Sequence, residues 1–279
     1  MTITSAIKVL LPTSTSLSLT RLKPKLQTEF MIELRNITYQ TPTSSGKSRT
    51  ILNDISFIVP EGSLTCILGA SGSGKTTLLR LMAGLLRPVS GAISIDGRDI
   101  TTMNEAELNE VRREMGFVFQ YGALFDSLTV GENVGFALEQ ARWPQDKINA
   151  VVKQLLEAVE LGGIENKMPD ELSGGMKKRV AMARALATSP RLVFYDEPTS
   201  GLDPLMTRII DDLMVRLREL AHATYVVVSH DVNSVLRIAD DIILLDEGRI
   251  VEQGNAAHFR NSKVLLARQF LGEKYEGSE

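Results

Sequence analysis

The chain has 279 residues, of which 43% are hydrophobic and 23% charged, and its formal net charge at pH 7 is -3. This composition is typical of a globular protein. Because the net charge gives no general basic field, we expect no nucleic-acid partner. The single cysteine excludes a disulfide framework. The apolar runs, such as residues 225–228 and 242–245, are far shorter than the roughly 18 to 20 residues that cross a bilayer, so we expect the chain not to form a translocation path itself.

The segment before Met31 differs in composition from the rest of the chain. Residues 1–28 contain ten Ser or Thr, four Lys or Arg and no Asp or Glu, which is typical of an organellar presequence or of a disordered tail. A start codon at Met31, where the first convincing strand begins, is a further alternative. We therefore expect residues 1–30 to be a disordered or targeting tail outside the folded domain.

From Met31 onward, short β-branched runs alternate with helical patterns. Near-continuous apolar strands separated by helices predict a parallel sheet that is covered on both faces, so we expect an α/β core. Residues 31–60 and 91–97 have hairpin-like patterns with turn residues, which predict a smaller antiparallel sheet beside the core. The predicted core strands are residues 64–68, 116–119, 192–195 and 225–228.

A glycine-rich loop follows the first predicted core strand. Residues 69–76 match the pattern GxxxxGK[ST] and stand between a buried strand and a helical run at residues 76–86. The loop glycines let backbone N–H groups point inward, and the helix adds its partial positive N-terminus, so the loop is predicted to hold a polyphosphate. Lys75 is predicted to contact the β- and γ-phosphates, and the Thr76 hydroxyl to ligate Mg²⁺. The predicted phosphate-binding residues are Gly69, Ser71, Gly72, Ser73, Gly74, Lys75, Thr76 and Thr77.

The strand signal vanishes between residues 121 and 180. Apolar residues at helical spacing after Pro144 predict helices with one apolar stripe, so we expect an inserted helical subdomain at about 121–180. Gln120 ends the strand before this insert. Its neutral amide is predicted to reach the metal region, as a metal ligand and catalytic residue, and to follow movements of the helical subdomain.

Two adjacent carboxylates follow another apolar strand. Asp196 and Glu197 come after residues 192–195, at the edge where a parallel sheet binds its ligands. Asp196 is predicted to orient Mg²⁺, and Glu197 to polarise the water that attacks the γ-phosphate. His230 ends a further strand at the same edge and is predicted to hydrogen-bond the γ-phosphate or to position the water.

A second anion site is predicted at residues 172–179, Leu-Ser-Gly-Gly-Met-Lys-Lys-Arg, where Ser173 is the N-cap of a helix and two glycines leave N–H groups accessible. This run resembles the signature motif of ABC ATPases, and with the other strand-end motifs it makes residues 31–254 similar to an ABC ATPase throughout. The resemblance implies a P-loop NTPase (RecA-like) core with a flanking antiparallel β subdomain. It also implies an ABC ATPase domain at residues 31–258, followed by a C-terminal helical tail at residues 259–279.

In ABC ATPases, the signature of one subunit closes over the nucleotide on the P-loop of the other. The resemblance therefore implies ATP and Mg²⁺ as cofactors, a homodimer, and separate transmembrane permease subunits. It implies that Ser173, Gly174 and Gly175 contact the γ-phosphate bound by the partner copy. Asp203 corresponds to the residue that links the two sites, and Tyr39 to the ring that stacks on adenine.

The signature has Met176 where the commonest form has Gln. Residues 122–133 and 172–184 are similar to the ATPases of Mla/Mce-type lipid transporters, which move phospholipid or other hydrophobic molecules between membranes. This resemblance implies a lipid cargo and an Mce-type lipid-binding protein in the complex. It implies a peripheral location at the cytoplasmic face of the inner membrane, or at the stromal face of a plastid envelope if residues 1–30 are a presequence. The alternatives are an ATPase for another cargo, such as polar amino acids or released lipoproteins, and a non-transport ABC ATPase.

Overall fold

The computed structural model describes residues 30–42, 47–120 and 122–272. Residues 1–29 of the tail predicted at residues 1–30, and residues 273–279 of the predicted C-terminal tail, lie outside this range. Within it, no helix is both long enough and apolar enough to cross a membrane.

The described residues form ten strands and nine α-helices. The strands are β1 (Phe30–Pro42), β2 (Ser48–Pro60), β3 (Leu64–Leu68), β4 (Ser90–Ile95), β5 (Arg98–Asp99), β6 (Met115–Val118), β7 (Leu192–Asp196), β8 (Thr224–Ser229), β9 (Asp241–Asp246) and β10 (Arg249–Gly254). The helices are α1 (Lys75–Met82), α2 (Glu105–Arg113), α3 (Val130–Gln140), α4 (Gln145–Ala158), α5 (Gly174–Leu186), α6 (Pro204–Ala221), α7 (Val232–Ile238), α8 (Ala256–Arg260) and α9 (Leu265–Phe270), with a 3₁₀ turn at Pro169–Glu171.

The smaller sheet has the strand order β2-β1-β4-β5 and is antiparallel throughout. The buried residues Ile32 and Leu34 of β1 belong to a core cluster that also contains residues of α1 and one face of the large sheet. Gly91, with φ 93°, lets β4 approach β1, since a Cβ there would lie 2.4 Å from the carbonyl oxygen of Arg35. This sheet is the predicted antiparallel sheet, and it packs beside the P-loop helix.

The large sheet has six strands in the order β10-β9-β3-β8-β7-β6. Five of them are parallel, and β10 runs antiparallel to β9 at one edge. Every residue of β3 and β8 is buried, as expected for central strands covered on both faces. The predicted α/β fold with a parallel core sheet and a flanking antiparallel sheet is confirmed. The predicted core strands did not include β9 and β10, which extend the sheet beyond β3.

The helix that follows the P-loop is shorter than predicted. It ends at Met82, with Ala83 as its C-cap, and the chain then turns at Gly84 with φ 66°. The prediction of helix up to residue 86 was wrong. The apolar periodicity on which it was based continues past Gly84, where the backbone ends the helix.

Between β6 and β7, the described residues contain α3, α4 and α5 and no strand. Buried side chains of α3 and α4 join one cluster with α5. Helices α3 and α4 meet at Gly135, where a Cβ would lie 2.8 Å from Cγ2 of Ile148. The apolar stripe after Pro144 corresponds to the buried face of α4, whereas the bounds of the subdomains remain predictions.

Candidate active site

The carboxyl ends of four neighbouring strands, β3, β8, β7 and β6, meet at one edge of the large sheet. The P-loop follows β3, and His230 follows β8. Asp196 is the last residue of β7, and Gln120 lies two residues beyond β6. The parallel topology therefore brings the separate sequence motifs to one edge, as the strand pattern predicted.

The P-loop, residues 69–76, has a backbone that requires glycine at three positions. Gly72 and Gly74 have φ of 84° and 107°, in the left-handed region that favours glycine. At Gly69, a Cβ would lie 2.3 Å from the carbonyl oxygen of Leu245. The hydroxyl of Ser73 is buried and has no hydrogen-bond partner among the described residues. In the same segment, Ser71 is exposed and Thr77 is half-buried in the first turn of α1.

The Lys75 ammonium lies inside the P-loop. Its Nζ donates to the carbonyl oxygens of Gly69 at 2.7 Å and Ala70 at 2.9 Å, and it lies 4.0 Å from Oε1 of Glu197. Burial lowers the pKa of Lys75, whereas the carboxylates of Glu197 and Asp196 oppose that shift. A cation held in this loop is placed to bind the phosphates that the loop cradles.

Thr76 and Asp196 form the oxygen pair expected for magnesium. The Thr76 hydroxyl donates to Oδ1 of Asp196 at 3.3 Å. Burial raises the pKa of Asp196, and the hydrogen bond from Thr76 opposes that shift. A hydroxyl and a carboxylate are oxygen donors that suit Mg²⁺, which keeps several waters and binds together with phosphate oxygens.

The Glu197 carboxylate lies near two side chains, the His230 imidazole and the Lys75 ammonium. Its Oε2 is 2.8 Å from Nδ1 of His230, and its backbone N–H donates to the carbonyl oxygen of Val228 at 2.9 Å. The side chain of Glu197 is only 13% exposed, whereas that of His230 is 58% exposed. This arrangement fixes a carboxylate beside the Lys75 ammonium, where it can accept a proton from a water.

Gln120 contacts the loop after Glu197. Its Nε2 donates to Oγ of Ser200 at 3.2 Å. Within the described residues, no hydrogen bond joins Gln120 to Thr76 or Asp196, so its contact with a metal stays a prediction.

The signature residues lie at the start of α5, where Ser173 caps the helix. Ser173 is the exposed N-cap of α5, and its Oγ accepts from the N–H of Met176 at 3.3 Å. A Cβ added at Gly174 would meet no other atom within 4 Å, whereas a Cβ on Gly175 would lie 2.5 Å from Cε of Met206. Across the residues that the structure covers, no hydrogen bond or ion pair joins residues 173–175 to residues 69–77.

Asp203 and Tyr39 occupy structural positions in the described chain. The Asp203 carboxylate caps α6 by accepting from the N–H groups of Leu205 and Met206, each at 2.9 Å. Tyr39 of β1 pairs with Leu52 of β2. Leu52 in turn lies close to the P-loop, since a Cβ added at Gly74 would be 2.8 Å from its Cδ2 atom. Tyr39 thus lies in the strand pair that borders the P-loop, and its stacking on adenine stays a prediction.

The profile of the family described as "ABC transporter" matches residues 52–200 of the chain. The chain belongs to this family of ATPases. It is the ATP-binding subunit of an ABC transporter, and its ATP hydrolysis is coupled to transport. The resemblance that the sequence motifs indicated is therefore confirmed.

Two curated relatives and one solved structure are similar to this ABC ATPase over most of its length. The intermembrane phospholipid transport ATP-binding protein MlaF of Haemophilus influenzae is 41% identical over 248 residues, which are 88% of this chain and 92% of MlaF. The methionine import ATP-binding protein MetN of Geobacillus kaustophilus is 40% identical over 250 residues, 89% of this chain and 73% of MetN. The dimeric ATP-binding cassette MJ0796, in a post-hydrolysis state bound to ADP and Pi, has a TM-score of 0.75 and 33% identity, covering 81% of this chain and 99% of that one.

Two cations of α5 in this ABC ATPase were not predicted as site residues. Lys178 donates through Nζ to the carbonyl oxygen of Ser200 at 2.8 Å. Arg184 donates to the carbonyl oxygens of residues 122 and 123 at 2.9 and 2.7 Å. The sequence could have indicated that Lys178 is buried, because helical spacing places it on the same face of α5 as the apolar residue Ala181.

Proposed function

We propose that this ABC ATPase drives the transport of phospholipid or another hydrophobic molecule between membranes. The proposal is supported by the 41% identity to the phospholipid transport ATP-binding protein MlaF, over 92% of its length, and by the similarity of residues 122–133 and 172–184 to the ATPases of Mla/Mce-type lipid transporters. Polar amino-acid import is the second candidate, because the methionine import ATP-binding protein MetN is 40% identical over 73% of its length.

The chemistry proposed for the site is hydrolysis of ATP by an activated water. The P-loop N–H groups and the Lys75 ammonium bind the phosphates, while Thr76 and Asp196 hold Mg²⁺. When bound, the metal neutralises charge on the β- and γ-phosphate oxygens. Glu197 accepts the proton of the attacking water, and His230 holds that carboxylate through its Nδ1 atom, 2.8 Å away.

The complete site needs a second copy of the chain. Ser173 and Gly174 are exposed in one copy and make no bond to its own P-loop among the described residues. We infer that they close over the ATP of the partner copy, so that two copies bind two ATP molecules at their interface. The dimeric state of the MJ0796 cassette supports this arrangement.

The permease is proposed to dock in a groove between the helices that follow β6 and the core sheet. This groove has a volume of about 1050 Å³, and it lies next to Gln120 because Phe119 lines it. Its Phe119 and Phe125 side chains are each 43% exposed, and Arg184 adds a cation. We infer that a cytoplasmic helix of the permease with apolar and acidic side chains occupies the groove. Motion of the Gln120 segment would then reach the permease.

The location and the further partner follow from the same similarity. We propose a peripheral position at the cytoplasmic face of the inner membrane and an Mce-type lipid-binding protein in the complex. The relatives reported above come from bacteria, so they give no support to the stromal alternative.

Purification of the full chain with its permease from membranes tests the cargo. The complex is reconstituted in liposomes, and transfer of a fluorescent phospholipid is compared with uptake of labelled methionine, with a Glu197→Gln complex as the inactive control. We expect ATP-dependent movement of the phospholipid and none of methionine. Methionine uptake without lipid movement would overturn the lipid cargo while leaving the ATPase assignment intact.

A further inference from the structure

The segment from Glu197 to Ser200 is a tight turn with an unusual backbone. Glu197 has φ 50°, in the left-handed region that side chains rarely adopt. The N–H of Ser200 donates to the carbonyl oxygen of Glu197 at 3.2 Å and closes the turn. Such a conformation persists only where the surrounding structure holds it, so the groups that contact this turn determine where the Glu197 carboxylate points.

Lys178 contacts this turn from the signature helix α5. Its Nζ donates to the carbonyl oxygen of Ser200 at 2.8 Å and lies 3.5 Å from the carbonyl oxygen of Glu197. The two ends of the turn are therefore bridged by one ammonium group, which is the geometry of a clamp on the backbone.

The Lys178 ammonium is buried without an anionic partner. Lys178 is only 7% exposed, and in the described ranges no carboxylate lies within 4.0 Å of its nitrogen. Burial lowers the pKa of Lys178 to about 8, and the nearby Glu197 carboxylate opposes that shift. A cation is costly to bury unless polar groups compensate it, and here the compensating groups are the two carbonyl oxygens of the turn.

We propose that Lys178 is a positioning residue that fixes the 197–200 turn and thereby aims the Glu197 carboxylate at the attacking water. The inference rests on the proposed role of Glu197 as the base. Lys178 lies on the helix that begins at Ser173, so the same helix carries the signature residues and the group that contacts the turn.

Steady-state ATP hydrolysis of Lys178 variants tests this role. Lys178→Met removes the ammonium and keeps an unbranched stem, whereas Lys178→Arg keeps a donor. We expect Lys178→Met to lower kcat about tenfold or more with KM for ATP changed less than about threefold, since only the water-activating step is affected. Lys178→Arg is expected to recover most of kcat. Lys153→Met, which removes an exposed lysine from α4, is the charge-matched control and is expected to keep the wild-type rate.

A double-variant cycle with Glu197→Gln distinguishes positioning of the Glu197 carboxylate from a general effect of Lys178 on the hydrolysis rate. Because Lys178 acts through the Glu197 carboxylate, Lys178→Met is expected to lower the residual rate of Glu197→Gln no further. If Lys178→Met does not fold, Lys178→Gln, which keeps a shorter donor, replaces it in the same cycle. A wild-type kcat for Lys178→Met, or fully additive losses in the cycle, would overturn the proposal. An inactive wild-type chain would instead overturn the proposed function.

Discussion

The Glu197 carboxylate is the residue on which the proposed hydrolysis depends. It lies beside His230 and Lys75 at the end of β7, and its side chain is mostly buried. The preceding residue, Asp196, accepts a hydrogen bond from the Thr76 hydroxyl instead. The two adjacent acids therefore have different partners, Thr76 for Asp196 and His230 for Glu197, which supports different roles.

Replacing Glu197 with Gln is expected to abolish nearly all steady-state hydrolysis, by about a hundredfold or more, because the amide cannot accept a proton from the water. Binding of ATP is expected to remain, since the P-loop is unchanged. Radiolabelled phosphate release and a fluorescent ATP analogue measure the two properties. Glu219→Gln, at an exposed position on α6, is the matched control, and a wild-type rate for Glu197→Gln would reject the role of the carboxylate.

At the scale of elements, a buried acid joins the two helices that begin at this edge. Helix α6 begins after Asp203, and α7 begins two residues after His230. Asp211 of α6 is fully buried and accepts from Oγ of Ser234 at 2.7 Å and from Arg237, both on α7. Burial raises the pKa of Asp211, and the bonds from Ser234 and Arg237 oppose that shift. The contact sets the position of α7 relative to α6.

Asp211→Ala is expected to lower the free energy of unfolding by about 3 kcal/mol, because it leaves the Arg237 cation without its partner in a partly buried site. The neighbouring Asp212 is exposed on the same helix, so Asp212→Ala is expected to change stability by no more than about 0.5 kcal/mol. Urea unfolding followed by circular dichroism compares the two variants. Equal stability of both would show that the buried pair contributes nothing.

At the scale of the whole molecule, the proposed sharing of each site between two copies has a direct consequence for mixtures of variants. Lys75→Ala damages only the P-loop, and Ser173→Arg blocks only the signature. A mixed dimer then has one complete site, built from the P-loop of the Ser173→Arg copy and the signature of the Lys75→Ala copy. Neither variant alone forms such a site.

Mixing the two variants is therefore expected to restore ATP hydrolysis that neither shows alone. The rate should reach at most roughly a quarter of the wild-type rate, since random pairing makes half of the dimers mixed and each has one complete site of two. A chain that carries both changes, mixed with either single variant, assembles no complete site and is the control. No recovery in the first mixture, with dimers demonstrated by light scattering, would contradict a site shared between copies.

The sequence predicted the strand-end motifs because each is local. The glycines of residues 69–76, the paired acids 196–197 and His230 each follow an apolar run, and a parallel sheet brings such ends together whatever the loops between them do. The prediction failed where the pattern was not local: helix α1 stops four residues early at a turning glycine, and the strands β9 and β10, which extend the sheet beyond β3, were not included in the core sheet.

The sequence by itself determined that this chain is an ABC ATPase, since the motif residues and their order are sufficient to specify the phosphate chemistry. Only the tertiary structure decided how α5 reaches the loops around the site. Lys178 and Ser200 are 22 residues apart, and Gln120 and Ser200 are 80 apart, so no local periodicity relates them. Their contacts arise because β6 and β7 are neighbours in the sheet and α5 packs against β6, and the direction of a buried side chain is fixed by that packing rather than by its neighbours in the chain.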